Sequence, residues 1–334
     1  MSSVLEVQNL NVDITVGAGE LHAVRGLDFS VDKGQTLCIV GESGCGKSVT
    51  SLAIMDLLPA RATRTADRLL FGDVDLRSLT ERQMSNIRGD RMVMIFQEPM
   101  TSLNPAYTIG NQLMEPYLRH KKSGKKEAEE RAIYLLEKVG ITAARSRLGQ
   151  YPHQLSGGLR QRVMIAMSLM CNPTLIIADE PTTALDVTIQ AQILHLLADL
   201  QREFNAAMIL ITHDLGVVAR VADKVAVMYA GEVVEQGAAN EVFDSPMHPY
   251  TQGLLHCIPI PGKTRRGARL GSIPGIVPTL IGDTRGCQFR NRCPYSEARC
   301  DSDVAMSMLG EGHGYRCVLD ESACRANAER IIAA

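Results

Sequence analysis

The sequence has no tryptophan, and aromatic residues make up only 4% of it, with six phenylalanines. So few rings offer little to stack against unpaired bases, which argues against a single-strand nucleic-acid binder. An excess of either charge is also missing: 35 Lys and Arg face 37 Asp and Glu, for a net charge of −2. That balance gives no pull toward polyanions, and nucleic acid is not an expected partner. No apolar run reaches the roughly 18 residues that a membrane-spanning helix needs, and the amino terminus lacks the charged-then-apolar pattern of a secretory signal. The expected location is the cytosol, with any work at a membrane done by docking onto spanning subunits from other chains. In that reducing compartment the nine cysteines argue against a disulfide framework and leave reactive, buried or metal-binding thiols.

What is present is a chain of 334 residues, 45% hydrophobic, enough for one large domain and a smaller appendage. Met1 to Asp32 alternates apolar and polar residues around Gly17 and Gly19, predicting an antiparallel sheet. Thr36 to Val40 reads as a buried strand, followed by a Gly-rich turn and a helix from about Ser48 to Leu58. Further strands are expected at Met92 to Phe96, Leu175 to Ala178, Met208 to Thr212 and Lys224 to Tyr229. Helical patterns between several of them predict a parallel, helix-covered α/β sheet. Lys121 to Lys138 predicts an exposed amphipathic helix in a mainly helical insertion, its charge run a solvated face. Beyond Pro246 the composition turns to Pro, Gly and Arg, and the tail holds too few apolar residues for a core of its own. A boundary is expected near residue 240.

Gly41-Glu42-Ser43-Gly44-Cys45-Gly46-Lys47-Ser48 fits the phosphate-loop pattern at a strand-to-helix junction. The glycines let backbone N–H groups face phosphates, Lys47 reaches the β/γ oxygens and Ser48 ligates Mg²⁺. Leu175 to Glu180 is an apolar strand ending in two carboxylates, expected at the sheet edge beside that loop. Asp179 would hold Mg²⁺ and Glu180, facing the γ-phosphate, would polarise the attacking water. Ser156-Gly157-Gly158 opens a helix running toward Cys171, and physics alone leaves an ordinary cap and a second anion site equally open.

Together with Gln97 after a strand, Ala184-Leu185-Asp186 after the carboxylates and His213 ending the next strand, these segments resemble the ATP-binding cassette (ABC) ATPases over roughly residues 4 to 240. The resemblance implies a P-loop cassette with a parallel core sheet, an antiparallel β subdomain and a helical subdomain at about 98–172. It implies that Ser156-Gly157-Gly158 contacts the γ-phosphate of ATP held by the partner cassette, so hydrolysis needs two cassettes head to tail. Gln97 would lie near Mg²⁺ and move with the membrane subunits, Asp186 would cross the dimer interface, and His213 would sense the γ-phosphate. Where many members stack an aromatic ring on adenine, this chain has Ile14; His22 is a substitute or a plain loop histidine.

Within the family, Met100-Thr101-Ser102-Leu103-Asn104-Pro105 and His248-Pro249-Tyr250-Thr251 resemble the peptide-type importers. So does the tail of residues 241–334, with Cys287-x5-Cys293-Pro294-x5-Cys300-x16-Cys317. The resemblance implies an ATP-hydrolysing motor at the cytoplasmic face of the membrane, and a [4Fe–4S] cluster on Cys287, Cys293, Cys300 and Cys317. Four thiolates suit zinc as well, and spacing alone does not choose. Cys324 is a substitute ligand; Cys38, Cys45, Cys171 and Cys257 suit apolar packing. The implied partners are two membrane permeases, an extracytoplasmic solute-binding protein and a second, non-identical cassette. Two rivals stand beside this reading: a soluble repair or translation ATPase, and an iron–sulfur or zinc regulator in which ATP binding is secondary. The single phosphate loop, separated from Asp179 without long heptads, argues against the first.

Overall fold

A computed structural model describes residues 3–98, 102–183, 186–258, 271–282, 284–310 and 312–333. Met100, Thr101, Ala184 and Leu185 of the motifs above lie outside them. Thirteen strands are found among the described residues: β1 (Ser3–Val16), β2 (Gly19–Asp32), β3 (Thr36–Val40), β4 (Ala62–Thr65), β5 (Arg68–Phe71), β6 (Val74–Asp75), β7 (Met92–Ile95), β8 (Leu175–Asp179), β9 (Ala207–Thr212), β10 (Lys224–Tyr229), β11 (Glu232–Ala238), β12 (Ser307–Leu309) and β13 (His313–Tyr315). The chain forms two compact units. One takes Met1–Glu6, Ser30–Thr36 and Leu70–Ile211; the other takes Val7–Phe29, Leu37–Leu69 and Thr212–Ala334.

The first unit is built on parallel strands. β8 pairs with β7 from Met92↔Leu175 to Ile95↔Ala178, and with β9 from Leu175↔Ala207 to Asp179↔Ile211. Every residue of β8 is buried, the pattern of a strand covered on both faces. The helices Ile109–His120, Lys125–Lys138 and Gly157–Ser168 pack on one another. The helix expected from Lys121 begins only at Lys125. Lys121 closes the preceding helix and Lys122 takes a left-handed φ of 51°, so the charged run contains a break that charge patterning did not reveal. Ala128, Ala132, Leu135 and Leu136 form the buried stripe of the later helix.

In the second unit β3 runs parallel to β10, from Leu37↔Lys224 to Val40↔Val227, and β11 returns antiparallel along β10. The helix after the phosphate loop spans Lys47–Ile54, shorter than expected. β13 adds to β11 through Glu235↔Tyr315 and Gln236↔Gly314, and β12 pairs with β13. The tail thus has a core after all. Met247, Tyr315 and Cys324 are buried together with Leu309, Cys317 and Leu319 against them, while Phe289 packs on Tyr229 and Tyr250 with ring centroids 5.2 and 5.3 Å away. The first cluster is made wholly of tail residues, which composition underrated, and Tyr229 of β10 is the cassette residue in the ring cluster. At the centre Glu235, fully buried, accepts the backbone N–H groups of Met247 and His248 at 2.8 Å each and faces His313 Nε2 at 2.8 Å.

Candidate functional site

The second unit carries the phosphate loop. Gly41, Gly44 and Gly46 take φ of 152°, 83° and 95°, and two of them are required by neighbours as well as by conformation. A Cβ on Gly41 would stand 2.2 Å from the Met228 carbonyl oxygen, and one on Gly46 would stand 2.3 Å from that of Ala23. The loop is pressed against β10 on one side and β2 on the other, so these glycines serve the fold before they serve any phosphate. Lys47 is buried, and its ammonium donates to the carbonyls of Gly41 at 2.8 Å and Glu42 at 2.9 Å. Gly46 caps the helix without a side chain, and no acid sits in the first turn, which leaves the helix terminus electropositive. Ser43 and Gly44 are exposed, Ser48 is half-buried, and Cys45 is a buried thiol pushed up by its burial. His213 follows β9 and is exposed; the next residue, Asp214, caps the helix Leu215–Val221 through the N–H groups of Gly216 and Val217.

The first unit carries the carboxylates. Asp179 ends β8 and is buried. Glu180 follows with a left-handed φ of 43°, and its N–H donates to the Ile211 carbonyl at 2.9 Å. Such a backbone costs on the order of 1 kcal/mol for a non-glycine residue and turns the side chain away from strand alternation. The carboxylate then accepts at Oε2 from Gln97 Nε2 at 3.2 Å and from Thr183 Oγ1 at 3.0 Å. Gln97 and Glu180 are thereby brought together, and Thr183 joins them, a hydroxyl the sequence reading passed over.

Ser156 sits at the N-cap of the helix Gly157–Ser168 with an exposed side chain that makes no cap hydrogen bond. The hydroxyl is not spent on capping. Gly157 and Gly158 are half-buried, and a Cβ on Gly158 would meet Ile189 Cγ2 at an ordinary 3.5 Å. Asp186, by contrast, is a working cap: its carboxylate accepts from Ile189 N at 3.0 Å at the head of Val187–Phe204. For the adenine, Ile14 is half-buried in β1 opposite Ala62, and His22 Nδ1 lies 2.6 Å from Asp13 Oδ1.

Among the described residues no group of three or more His, Cys, Asp or Glu side chains is arranged to hold a metal ion. The four tail cysteines are nevertheless electrostatic neighbours. Burial pushes the Cys293 thiol up to about 12, with the charges of Cys317, Cys287 and Cys300 adding to it. Cys287 is raised by burial first and then by Cys300 and Cys317, and its N–H donates to the Cys300 carbonyl at 2.8 Å. Cys317 is held down at about 7, chiefly by a hydrogen bond from the Cys324 thiol.

The sequence reading also missed Arg292 and the reach of Tyr250. Arg292 forms a bidentate pair with Glu42 of the phosphate loop, and the Tyr250 hydroxyl accepts the Glu42 N–H at 2.9 Å. Their separations of 250 and 208 residues from Glu42 put them beyond any local pattern.

Comparison with known proteins agrees with this geometry. The ABC transporter model matches residues 24–183, and the oligopeptide/dipeptide transporter C-terminal region matches residues 234–300. The chain is 51% identical over 323 residues to the dipeptide transport ATP-binding protein DppD of Bacillus subtilis (strain 168), covering 96% of each. It is 49% identical over 316 residues to DppD of Escherichia coli (strain K12), covering 94% of this chain and 96% of that one. Among solved structures, the dimeric ATP-binding cassette MJ0796 in a post-hydrolysis state bound to ADP and Pi aligns with a TM-score of 0.63 at 26% identity, over 70% of this chain and 98% of that one. The protein cbiO1 from Clostridium perfringens, part of the ABC transporter complex cbiONQ, aligns with a TM-score of 0.62 at 28% identity, over 73% of this chain and 92% of that one. With both domain models on one chain and about half of its residues shared with such proteins, the chain belongs to the ABC transporter ATPases that carry the oligopeptide/dipeptide transporter C-terminal region.

Proposed function

We propose that this ATPase is the motor subunit of an importer for peptides or related small solutes, working at the cytoplasmic face of the membrane. The observation that carries the reading is the joining, in one chain, of a cassette to the oligopeptide/dipeptide transporter C-terminal region. No helix among the described residues is long and apolar enough to cross a membrane, so the proposal assigns the path for solute to two permease subunits. A solute-binding protein outside the membrane and a second cassette complete the assembly, and residues 1–240 and 241–334 act as cassette and extension.

In this reading Lys47 turns its ammonium from the Gly41 and Glu42 carbonyls to the β/γ-phosphate oxygens of ATP. Ser48, Asp179 and Gln97 would hold Mg²⁺, which would supply neutralisation of the phosphate charge. Glu180, oriented by Gln97 and Thr183, takes the proton of the attacking water. His213 contacts the γ-phosphate. Ser156, Gly157 and Gly158 offer hydroxyl and backbone N–H groups to the nucleotide of the partner cassette, with Asp186 at the same interface. On the resemblance of the tail alone, Cys287, Cys293, Cys300 and Cys317 would hold a [4Fe–4S] cluster, with zinc the alternative.

The test is co-expression with candidate permeases and a second cassette, followed by reconstitution in vesicles with ATP inside and the solute-binding protein in the external medium. ATP-dependent accumulation of labelled di- or oligopeptide is expected. ATPase activity that needs neither partner cassette nor permease, with no uptake, would overturn the motor reading in favour of a soluble ATPase.

A further inference from the structure

Glu42 is the second residue of the phosphate loop, yet the groups that hold it come from the far end of the chain. Arg292 Nη1 donates to Oε2 at 2.6 Å and Nη2 donates to Oε1 at 3.0 Å, a fork-to-fork ion pair. The guanidinium side chain is only 5% exposed. Its remaining donors are spent on the scaffold: Nε to the Pro274 carbonyl at 2.8 Å, Nη2 to that of Ile273 at 3.2 Å and Nη1 to the Tyr229 hydroxyl at 3.4 Å. The same guanidinium lies over the rings of Tyr229 and Phe289, 5.7 and 5.9 Å from their centroids. Tyr250, in edge contact with Tyr229 at 4.7 Å, accepts the Glu42 N–H. Both the main chain and the side chain of Glu42 are therefore fixed from beyond residue 228.

A carboxylate in a loop built to receive phosphates is a like charge in the wrong place. Glu42 also shares its carbonyl with the Lys47 ammonium at 2.9 Å, so any swing of Glu42 moves the acceptor that positions Lys47. Neutralising and pinning this one side chain serves both electrostatics and loop shape. Arg292 is in turn fixed by a tight turn: Arg290 N donates to Cys287 O at 3.2 Å, Arg292 N to Phe289 O at 2.9 Å and Cys293 N to Arg290 O at 3.4 Å.

We propose that Arg292 is a positioning residue for nucleotide binding: through Glu42 it makes the carboxy-terminal extension part of the ATP-binding apparatus. The inference rests on the reading of Gly41 to Ser48 as the loop that holds the phosphates. A displaced Cys287–Cys293 turn would then be felt at the loop as weaker ATP binding, with no change in the carboxylates that carry out hydrolysis.

The experiment is titration of the purified full-length chain with a trinitrophenyl-ATP probe and competing ATP, for wild type, Arg292→Met, Glu42→Gln, the double variant and Lys47→Ala. Arg292→Met is expected to weaken ATP binding about tenfold, and that loss is expected to vanish in the Glu42→Gln background, where there is no charge left to neutralise. Arg292→Lys keeps the charge and the buried stem but not the fork, and a loss of about threefold is expected, again cancelled by Glu42→Gln; it reads the coupling if Arg292→Met does not fold. Equal losses in both Glu42 backgrounds mean a purely structural role and overturn the proposal, as does unchanged affinity in Arg292→Met. Wild-type affinity in Lys47→Ala would instead overturn the phosphate-loop reading and the inference with it.

Discussion

Gln97 Nε2 donates to Glu180 Oε2 over 3.2 Å, joining residues 83 positions apart in the sequence. The same oxygen accepts from Thr183, so the carboxylate has a defined orientation before any water reaches it. Removing its charge while keeping its shape should separate binding from chemistry. Glu180→Gln is expected to bind ATP with near wild-type affinity and to lose turnover by at least about a hundredfold. Single-turnover hydrolysis by the assembled complex, with the partner cassette's site silenced, measures it; near-normal hydrolysis would remove Glu180 from the role of base.

Ser156 makes no cap bond, which frees its replacement from much of the roughly 1 kcal/mol that loss of a capping hydroxyl costs. An effect of Ser156→Arg or Gly158→Asp is thus expected in function and not in folding. Bulk or negative charge there should impair hydrolysis at the partner's phosphate loop while this chain keeps its own nucleotide. Photo-crosslinking of labelled ATP to each subunit distinguishes the two sites, and equal loss from this chain's own loop would show that the helix terminus acts in cis.

The strands and motifs were legible because each is local. β3 and β8 announce themselves as short unbroken apolar runs, and Lys47 and Glu180 sit at fixed offsets from them. The roles of Gly41 and Gly46 were only half legible: their motif is local, but the carbonyls of Met228 and Ala23 that forbid a Cβ are not. Arg292 and Glu235 were not legible at all. One is an arginine beside a cysteine and the other a glutamate in a strand of alternating character, and nothing nearby in sequence marks them as buried. Their partners arrive only when β13 docks on β11 and the tail closes on Tyr229. The break at Lys122 was missed for a related reason, since a Lys- and Ser-rich turn has the same composition as a solvated helix face.

His248 supplies a stability prediction with a definite sign. Complete burial, with the charge of Arg316 adding to it, lowers its pKa to about 3, and its Nδ1 accepts the Tyr250 N–H at 3.0 Å. The folded state therefore prefers the neutral ring. Its contribution is fully present above the ordinary histidine value near 6.5 and is lost as pH falls below it, at about 1.4 kcal/mol per pH unit down toward 3. Urea unfolding at pH 6.5, 6.0 and 5.5 should show that decline, and His248→Asn, which keeps an acceptor but cannot be protonated, should flatten it. An unchanged slope in the variant would place the acid sensitivity elsewhere.

The last prediction concerns the four tail cysteines. The tail already packs through Met247, Tyr315 and Cys324, so a metal group is not needed to give it a core. Ligation needs the thiolates, and burial pushes the Cys293 thiol up to about 12, so loading of a metal group is expected to release protons. Protein purified without oxygen is expected to contain about four irons and four sulfides per chain, and Cys293→Ser to lose them with a lower melting temperature. The Cys324 thiol donates to the Leu319 carbonyl and stands outside the proposed set of four, so Cys324→Ala is expected to keep the iron. One zinc per chain would replace the cluster by the alternative site, and colourless protein without metal would remove the ligand role altogether. Iron lost in Cys324→Ala but kept in Cys317→Ser would exchange the roles of those two positions.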